Sequence, residues 1–232
     1  MEKYDVKFKK KFGQNFLKDI NIVKKIVKTA DINGKSLVIE VGPGGGIMTR
    51  ELSFVADNVL AYEIDMELKE EHEKRLGDRN NVCVLFQDFL ESDISCDVKS
   101  YDYDNLYFVS NVPYYITTPI LTKIMESNLP FEKIVMMVQK EVGERFSAKP
   151  GSKNYSSITV FLNYFYNIKK LFNVSRNEFV PVPNVDSEVI CFERKSERLK
   201  VENEKLFFQL VRDSFKFKRK TIKNNLKNYD LL

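Results

Sequence analysis

The sequence is poor in the residues on which many catalytic and metal sites depend. Its 232 residues include one histidine, three cysteines and no tryptophan. The single histidine, His72, excludes histidine-based metal centres and catalytic triads, and its charged helical surroundings favour a helix-face residue over a catalytic one. Cys83, Cys96 and Cys191 have neither metal-binding spacing nor even pairing. They indicate reduced thiols in a cytoplasmic protein without a metal site.

The sequence also lacks any apolar run near the length of a membrane span, and it predicts no signal peptide. Hydrophobic residues make up 43% of the chain and charged residues 30%, as in ordinary soluble proteins. A chain of 232 residues is long enough for one sizeable domain with an appendage. We therefore expect a protein with no membrane partner.

Positive charge is concentrated at the two ends of the chain, although the formal net charge is only +4. The cationic residues of the ends are Lys3, Lys7, Lys9, Lys10 and Lys11, and Arg212, Lys216, Lys218, Arg219, Lys220, Lys223 and Lys227. Such runs are either solvated surface or contacts for a polyanionic partner. The sequence alone leaves both interpretations open.

The most informative stretch is residues 37–46, LVIEVGPGGG. Apolar residues around one glutamate predict a buried parallel strand, and the glycines predict a turn in which backbone approaches a ligand closely. Met48, Leu52 and Val55 then follow at helical spacing. Strand, glycine turn and helix together form the nucleotide-binding turn of doubly wound sheets, with a plain structural turn as the alternative.

This turn departs from the pattern of dinucleotide sites. Ile47 holds the position of the third glycine, and no lysine follows at P-loop spacing. The next predicted strand, residues 58–62, ends at Glu63, 21 positions after Gly42, where an acid can accept hydrogen bonds from ribose hydroxyls. The predicted ligand is a nucleoside without a pyrophosphate. S-adenosylmethionine fits best, because its charge is a sulfonium cation.

The rest of the chain predicts an α/β sheet with an antiparallel edge. The further predicted strands are residues 82–86, 106–109, 134–138, 157–166 and 187–192. The predicted helices are residues 20–30, 65–76 and 118–127, with Thr118 as N-cap, a short helix from Lys140, and helices beyond residue 197. Residues 12–19 and 91–104 are predicted to be irregular.

Four residues stand at the carboxyl ends of the first four predicted strands: Gly42, Glu63, Asp88 and Asn111. Ligands of open α/β sheets bind beyond the carboxyl ends of the strands, so these residues are expected to converge on one site. Asp88 is placed to accept a hydrogen bond from the amino group of a cofactor adenine.

The Asn111-Val-Pro-Tyr114 segment suits an aminated aromatic base. The lone pair of an exocyclic amine is delocalised into the ring, so the amine is a poor nucleophile. Two acceptors, the Asn111 side-chain oxygen and a backbone carbonyl near Val112, would draw the nitrogen towards tetrahedral geometry, while Tyr114 stacks on the base. The alternative is a rigid loop with a capping asparagine.

Six motifs give the sequence a close resemblance to one family. They are KFGQNFL at 11–17, EVGPG at 40–44, EID at 63–65, SNVPYYITTP at 110–119, VQKE at 138–141 and FVPVPNVDS at 179–187. Together they resemble the rRNA adenine N6,N6-dimethyltransferase family, and within it the bacterial KsgA branch.

The resemblance implies a Rossmann-like class I methyltransferase with a seven-stranded sheet. The methyltransferase domain would cover residues 1–195, and residues 196–232 would form a helical C-terminal domain that is either truncated or unusually small. The implied reaction is S-adenosylmethionine-dependent dimethylation of two adjacent adenines near the 3′ end of small-subunit rRNA. The implied partner is the immature small ribosomal subunit, and the implied enzyme is a cytoplasmic monomer.

The resemblance also implies roles for individual residues. The cofactor-binding residues would be Asn15, Leu17, Gly42, Glu63, Asp88 and Asn111. Asn111 and Tyr114 would hold the target adenine, and Phe179 would cover its other face. Tyr115 stands where many members have asparagine, which we interpret as tolerated variation.

Two alternatives stay open at this point. An Erm-type enzyme would methylate an adenine of large-subunit rRNA, and a non-catalytic RNA-binding or assembly factor would keep the fold without the reaction. The motifs that contain Glu40, Glu63, Asp88 and Asn111 are intact, which argues against a non-catalytic protein. A nicotinamide dehydrogenase is disfavoured by Ile47.

Overall fold

The computed structural model describes residues 15–229. Its strands are β1 (Phe16–Leu17), β2 (Ser36–Val41), β3 (Asn58–Glu63), β4 (Val82–Phe86), β5 (Asn105–Asn111), β6 (Phe131–Gln139), β7 (Tyr166–Val174), β8 (Phe179–Val180) and β9 (Ser187–Arg194). Its helices are α1 (Ile20–Ala30), α2 (Ile47–Leu52), α3 (Lys69–Leu76), α4 (Ile94–Asp97), α5 (Thr117–Glu126), α6 (Lys140–Phe146), α7 (Ser157–Phe165), α8 (Glu204–Ser214) and α9 (Ile222–Asn225).

Seven strands form one sheet in the order β4-β3-β2-β5-β6-β9-β7. The first five are parallel, and β9 and β7 add an antiparallel edge. The predicted Rossmann-like fold with seven strands and an antiparallel edge is confirmed. A separate two-stranded sheet pairs β1 with β8.

The central strands are buried on both faces, which explains their nearly continuous apolar sequence. In β2, Leu37 and Ile39 pack into one hydrophobic cluster and Val38 packs into the cluster on the other face. Helices therefore cover both sides of the sheet, and the carboxyl ends of the parallel strands are left for a site. Within residues 15–229, no helix is both long and apolar enough to cross a membrane.

The prediction of a strand over residues 157–166 is wrong, because this stretch forms α7 and the strand β7 follows it. Ser156 and Thr159 form a capping box that starts the helix. Thr159 and Leu162 are fully buried one turn apart. The run is apolar nearly throughout, so its periodicity does not separate a buried helix from a buried strand.

Three smaller predictions are also corrected. Thr118 is not an N-cap, because α5 begins at Thr117 after a single 3-10 turn over Tyr114–Ile116. Residues 91–104 contain α4 and a second 3-10 turn rather than only a loop. Phe16–Leu17 form β1 within the stretch predicted to be irregular, which extends beyond the described residues at 12–14.

Helix α8 of the C-terminal segment packs on α7 through aromatic side chains. Phe208 of α8 meets Phe161 with ring centroids 5.2 Å apart, and Phe207 meets Tyr164 at the same distance. Tyr164 also donates a hydrogen bond to the Glu204 carboxylate at 3.0 Å. The described part of the C-terminal segment is thus attached directly to the α/β sheet unit.

Candidate active site

A pocket opens at the carboxyl edge of the parallel strands. Seven of the eight predicted site residues line it: Asn15, Leu17, Gly42, Glu63, Asp88, Asn111 and Tyr114. These residues come from β1 and the position before it, from the ends of β2 to β5 and from the loop after β5. The predicted convergence of the strand ends is what the structure shows.

The glycine turn forms one wall of the pocket. The Gly42 amide donates to the Tyr62 carbonyl at 2.9 Å, which continues the β2–β3 pairing into the turn. Gly44 has a φ of +57°, and a Cβ atom there would lie 2.5 Å from Cε1 of Phe16. Only glycine fits this backbone conformation and this contact.

Glu63 is held rigidly beside the turn. Its Oε2 accepts the Gly44 amide at 3.0 Å, and its Oε1 accepts the Asp65 amide at 2.8 Å. The side chain is almost completely buried, and burial raises the pKa of its carboxyl. The carboxylate lines the pocket and offers about four acceptor positions, so it can also accept hydrogen bonds from ligand hydroxyl groups.

Asp88 follows β4 and lies in a tight turn of its own, where its Oδ1 accepts the Leu90 amide at 2.8 Å. Tyr115 lines the same part of the pocket and is 58% exposed. Burial, and then the charges of Asp88 and Glu63, raise the pKa of the Tyr115 hydroxyl. This end of the pocket therefore combines acceptor oxygens with an aromatic face.

Asn111 ends β5 at the centre of the site. Its Nδ2 donates to the Asn15 carbonyl at 3.2 Å, which presents Oδ1 as the acceptor. The preceding Ser110 hydroxyl donates to the Val41 carbonyl at 2.6 Å and is fully buried. These contacts fix the end of the strand from which the loop departs.

Tyr114 is anchored through its hydroxyl, which lies 2.7 Å from the Ser187 hydroxyl at the start of β9. Ser187 is fully buried, and burial raises the pKa of the Tyr114 hydroxyl. The ring thus borders the pocket in a fixed orientation and as a neutral phenol.

Phe179 is the predicted site residue that the structure does not bring into the pocket. Its ring is fully buried, and it pairs with Leu17 across β1 and β8. Here Phe179 supports the segment that carries Asn15 and Leu17. The stacking role that the resemblance implies for Phe179 stays a prediction.

Two residues of the site were absent from the predicted set. Glu40 lines the pocket from inside β2, and burial, followed by repulsion from Glu63, raises its pKa to about 8. The sequence feature that could have identified Glu40 is the position of an acidic residue inside an otherwise apolar strand. His72 donates to the glycine turn from α3. The sequence pattern gives no indication that His72 contacts Gly44.

The chemistry of the lining narrows the class of ligand. Three carboxyl groups, those of Glu40, Glu63 and Asp88, line the pocket, and no lysine, arginine or histidine of residues 15–229 does. Such a lining disfavours phosphate groups and favours a ligand with positive charge and hydroxyl groups. Within the same residues, no group of three His, Cys, Asp or Glu side chains is arranged to hold a metal ion.

Comparison with known proteins gives one consistent family. The model of the family described as "Ribosomal RNA adenine dimethylase" matches residues 5–230. A relative from Streptococcus thermophilus (strain LMD-9), named "Ribosomal RNA small subunit methyltransferase A", is 44% identical over 99% of this chain and 80% of its own length. A relative of the same name from Staphylococcus aureus (strain JH9) is 42% identical over 99% of this chain and 78% of its own length.

Solved structures agree with the sequence relatives. A dimethyladenosine transferase from Plasmodium falciparum matches with a TM-score of 0.77 and 32% identity, over 91% of this chain and 74% of that chain. The 23S rRNA methyltransferase ErmE matches with a TM-score of 0.76 and 28% identity, over 92% of this chain and 84% of that chain.

Proposed function

Because the chain belongs to the ribosomal RNA adenine dimethylase family, we propose that it dimethylates the N6 amines of two adjacent adenines near the 3′ end of small-subunit rRNA. The methyl donor would be S-adenosylmethionine. The partner would be the immature small ribosomal subunit, and the enzyme would act as a cytoplasmic monomer. Residues 1–195 would form the methyltransferase domain and residues 196–232 a helical C-terminal domain.

The acidic lining of the pocket carries the proposal. S-adenosylmethionine has a sulfonium centre, an ammonium group and ribose hydroxyls, and it has no phosphate. A pocket with Glu40, Glu63 and Asp88 and no lining cation among the described residues fits that ligand. Dinucleotides and nucleoside phosphates would meet repulsion from the Glu63 and Asp88 carboxylates.

The residues around the pocket have distinct roles in this proposal. Glu63 would accept the ribose hydroxyls and Asp88 the adenine amino group, while Asn15 and Leu17 border the methionine end. When bound, the cofactor supplies an electrophilic methyl group. Asn111 Oδ1 and a carbonyl near Val112 would accept the two hydrogens of the target amine.

The bonds, charges and protons of the methyl transfer can be accounted for without a metal ion or a general base. The bond between N6 and the methyl carbon would form as the sulfur–methyl bond of the bound cofactor breaks, which would leave a neutral thioether. The amine gains a positive charge, and its surplus proton then leaves to solvent. Tyr114 would hold the base by stacking, and its hydroxyl is committed to Ser187.

Methyl transfer to the two ribosomal subunits tests the choice of substrate. Purified small and large subunits from cells lacking these methylations would each be incubated with the protein and radiolabelled S-adenosylmethionine. We expect label only in small-subunit rRNA. The structural similarity to ErmE makes large-subunit rRNA the second candidate, and label in that RNA alone would replace the proposed substrate.

A further inference from the structure

Helix α3 packs directly behind the glycine turn and places the only histidine of the chain against it. His72 is 3% exposed, and its Nε2 lies 2.6 Å from the Gly44 carbonyl oxygen. The imidazole also packs on Phe86 of β4, with ring centroids 5.6 Å apart. The side chain is therefore fixed by packing and by one short polar contact.

The geometry defines the tautomer of this histidine. A carbonyl oxygen only accepts, so Nε2 must carry the hydrogen. Nδ1 is buried and has no hydrogen-bond partner among the described residues. A proton on Nδ1 would be buried without an acceptor, so the ring is neutral. Burial likewise lowers the pKa of His72.

Gly44 is thus held on both sides of its α-carbon. Its amide donates to Glu63 and its carbonyl accepts from His72. Gly44 also lines the pocket. Two buried side chains from different elements therefore set the orientation of both peptide planes at the point where the turn faces a ligand.

We infer that His72 is a positioning residue of the cofactor site, which holds the Gly44 carbonyl and so keeps the glycine turn in its cofactor-binding conformation. The inference rests on the proposed use of this pocket for S-adenosylmethionine. A neutral donor suits the role, because it fixes the carbonyl without placing a second positive charge behind a pocket for a cationic ligand. His72 contacts no reacting atom.

Three substitutions separate the hydrogen bond from the packing. In His72→Gln, the amide nitrogen stands where Nε2 stood and can still donate to Gly44. In His72→Asn, the same amide is one methylene shorter and cannot reach. In His72→Leu, the volume is kept and the donor is lost. Calorimetric titration with S-adenosylmethionine and with S-adenosylhomocysteine measures the outcome, and thermal melting verifies folding.

We expect His72→Gln to bind both compounds within about 3-fold of the unaltered protein. His72→Asn and His72→Leu should bind about 5- to 20-fold more weakly, the effect of losing one buried hydrogen bond. At saturating cofactor, kcat should change by less than about 2-fold and the KM for RNA should not change. If His72→Leu and His72→Gln bind the two compounds with equal affinity, whether tightly or weakly, the inference is overturned.

A second measurement does not depend on cofactor binding. The chain has one histidine, so its ring nitrogens give unambiguous signals in a ¹⁵N-labelled sample. We expect a protonated Nε2 and an unprotonated Nδ1 at neutral pH, and a protonated Nδ1 there would overturn the inference. If the unaltered protein shows this tautomer but binds neither compound, the proposed function fails and the hydrogen bond stands.

Discussion

The Tyr114 and Ser187 hydroxyls lie 2.7 Å apart and join the loop after β5 to the first residue of β9. The two residues are 73 positions apart in the sequence. Because Ser187 is fully buried, this contact fixes the tyrosine ring relative to the sheet. In the proposed function, this contact would orient the Tyr114 ring as a stacking surface, and the hydroxyl would take no part in the chemistry.

This relationship predicts a graded response at Tyr114. Tyr114→Ala removes stacking worth about 1–3 kcal/mol per base, whereas Tyr114→Phe keeps the ring and loses one hydrogen bond of about 1 kcal/mol. Ser187→Ala should lower the methylation rate as much as Tyr114→Phe does. The double variant Tyr114→Phe/Ser187→Ala should be no slower than either single variant. Single-turnover methylation measures all four. Equal damage from Tyr114→Phe and Tyr114→Ala would show that the hydroxyl takes part in the chemistry.

Asn111 is expected to act mainly in the transition state. Its Nδ2 is engaged by the Asn15 carbonyl, so Oδ1 can accept from an amine whose hydrogens become more acidic as the nitrogen rehybridises. Asn111→Ala should lower kcat by about 10²- to 10³-fold, as for one lost preorganised polar contact. RNA affinity should change little. Near-normal turnover of this variant would mean that another acceptor organises the transfer.

Glu63 supports the glycine turn, and in the proposed function it also binds the cofactor. Glu63→Ala should weaken S-adenosylmethionine binding by about 1–3 kcal/mol, because the ribose acceptor and the Gly44 contact are lost together. Calorimetry with and without a chelator measures this affinity. Unchanged affinity would place the ribose elsewhere, and a chelator-sensitive affinity would contradict binding without a metal.

Glu40 predicts a pH dependence of stability. Its pKa is raised from 4.5 to about 8, so between these values the unfolded state binds fewer protons than the folded state. Stability contributed by the neutral carboxyl is complete below the unfolded pKa and is lost as the pH rises towards 8. Relative to Glu40→Gln, the unaltered protein should lose up to about 5 kcal/mol of unfolding free energy across this window.

Urea denaturation at several pH values measures the Glu40 effect. Glu141 on α6 is exposed, and Glu141→Gln serves as the matched control. The unfolding free energy of the control should depend on pH as that of the unaltered protein does. The unfolding free energy of Glu40→Gln should depend on pH less steeply. Parallel profiles for all three proteins would contradict a buried neutral Glu40.

The basic C-terminal segment is expected to contact rRNA phosphates. Lys218, Arg219 and Lys220 are exposed in the turn between α8 and α9. Their replacement by glutamine should weaken RNA binding and lower the salt slope by about 0.7 for each lost phosphate contact, while cofactor affinity stays unchanged. An unaltered salt slope would assign these cations to solvated surface.

A matched control for the basic turn is replacement of the exposed Lys69, Lys74 and Lys99. This variant removes the same charge from another surface. We expect its RNA affinity to fall less than that of the C-terminal variant. Equal losses would indicate that only net charge matters. The lysines between Lys3 and Lys11 lie outside the described residues, and their contact with RNA stays a prediction.

The sequence was most informative where local pattern determines structure. The strand predicted over residues 82–86 matches β4, and the acids after successive strands meet in one pocket because parallel strands end at one edge. The apolar run in α7 was ambiguous because both a buried helix and a buried strand are apolar throughout. The contacts of Tyr114 with Ser187 and of His72 with Gly44 depend on distant packing, which no local pattern contains.

The most direct test is the identity of the methylated nucleosides in small-subunit rRNA. Immature subunits would be incubated with S-adenosylmethionine and either the unaltered protein or Asn111→Ala, and the digested RNA would be analysed by mass spectrometry. We predict N6,N6-dimethyladenosine at two adjacent positions near the 3′ end with the unaltered protein, and almost none with the variant over the same time. Methylation of another base or atom, or full dimethylation by Asn111→Ala, would contradict the account.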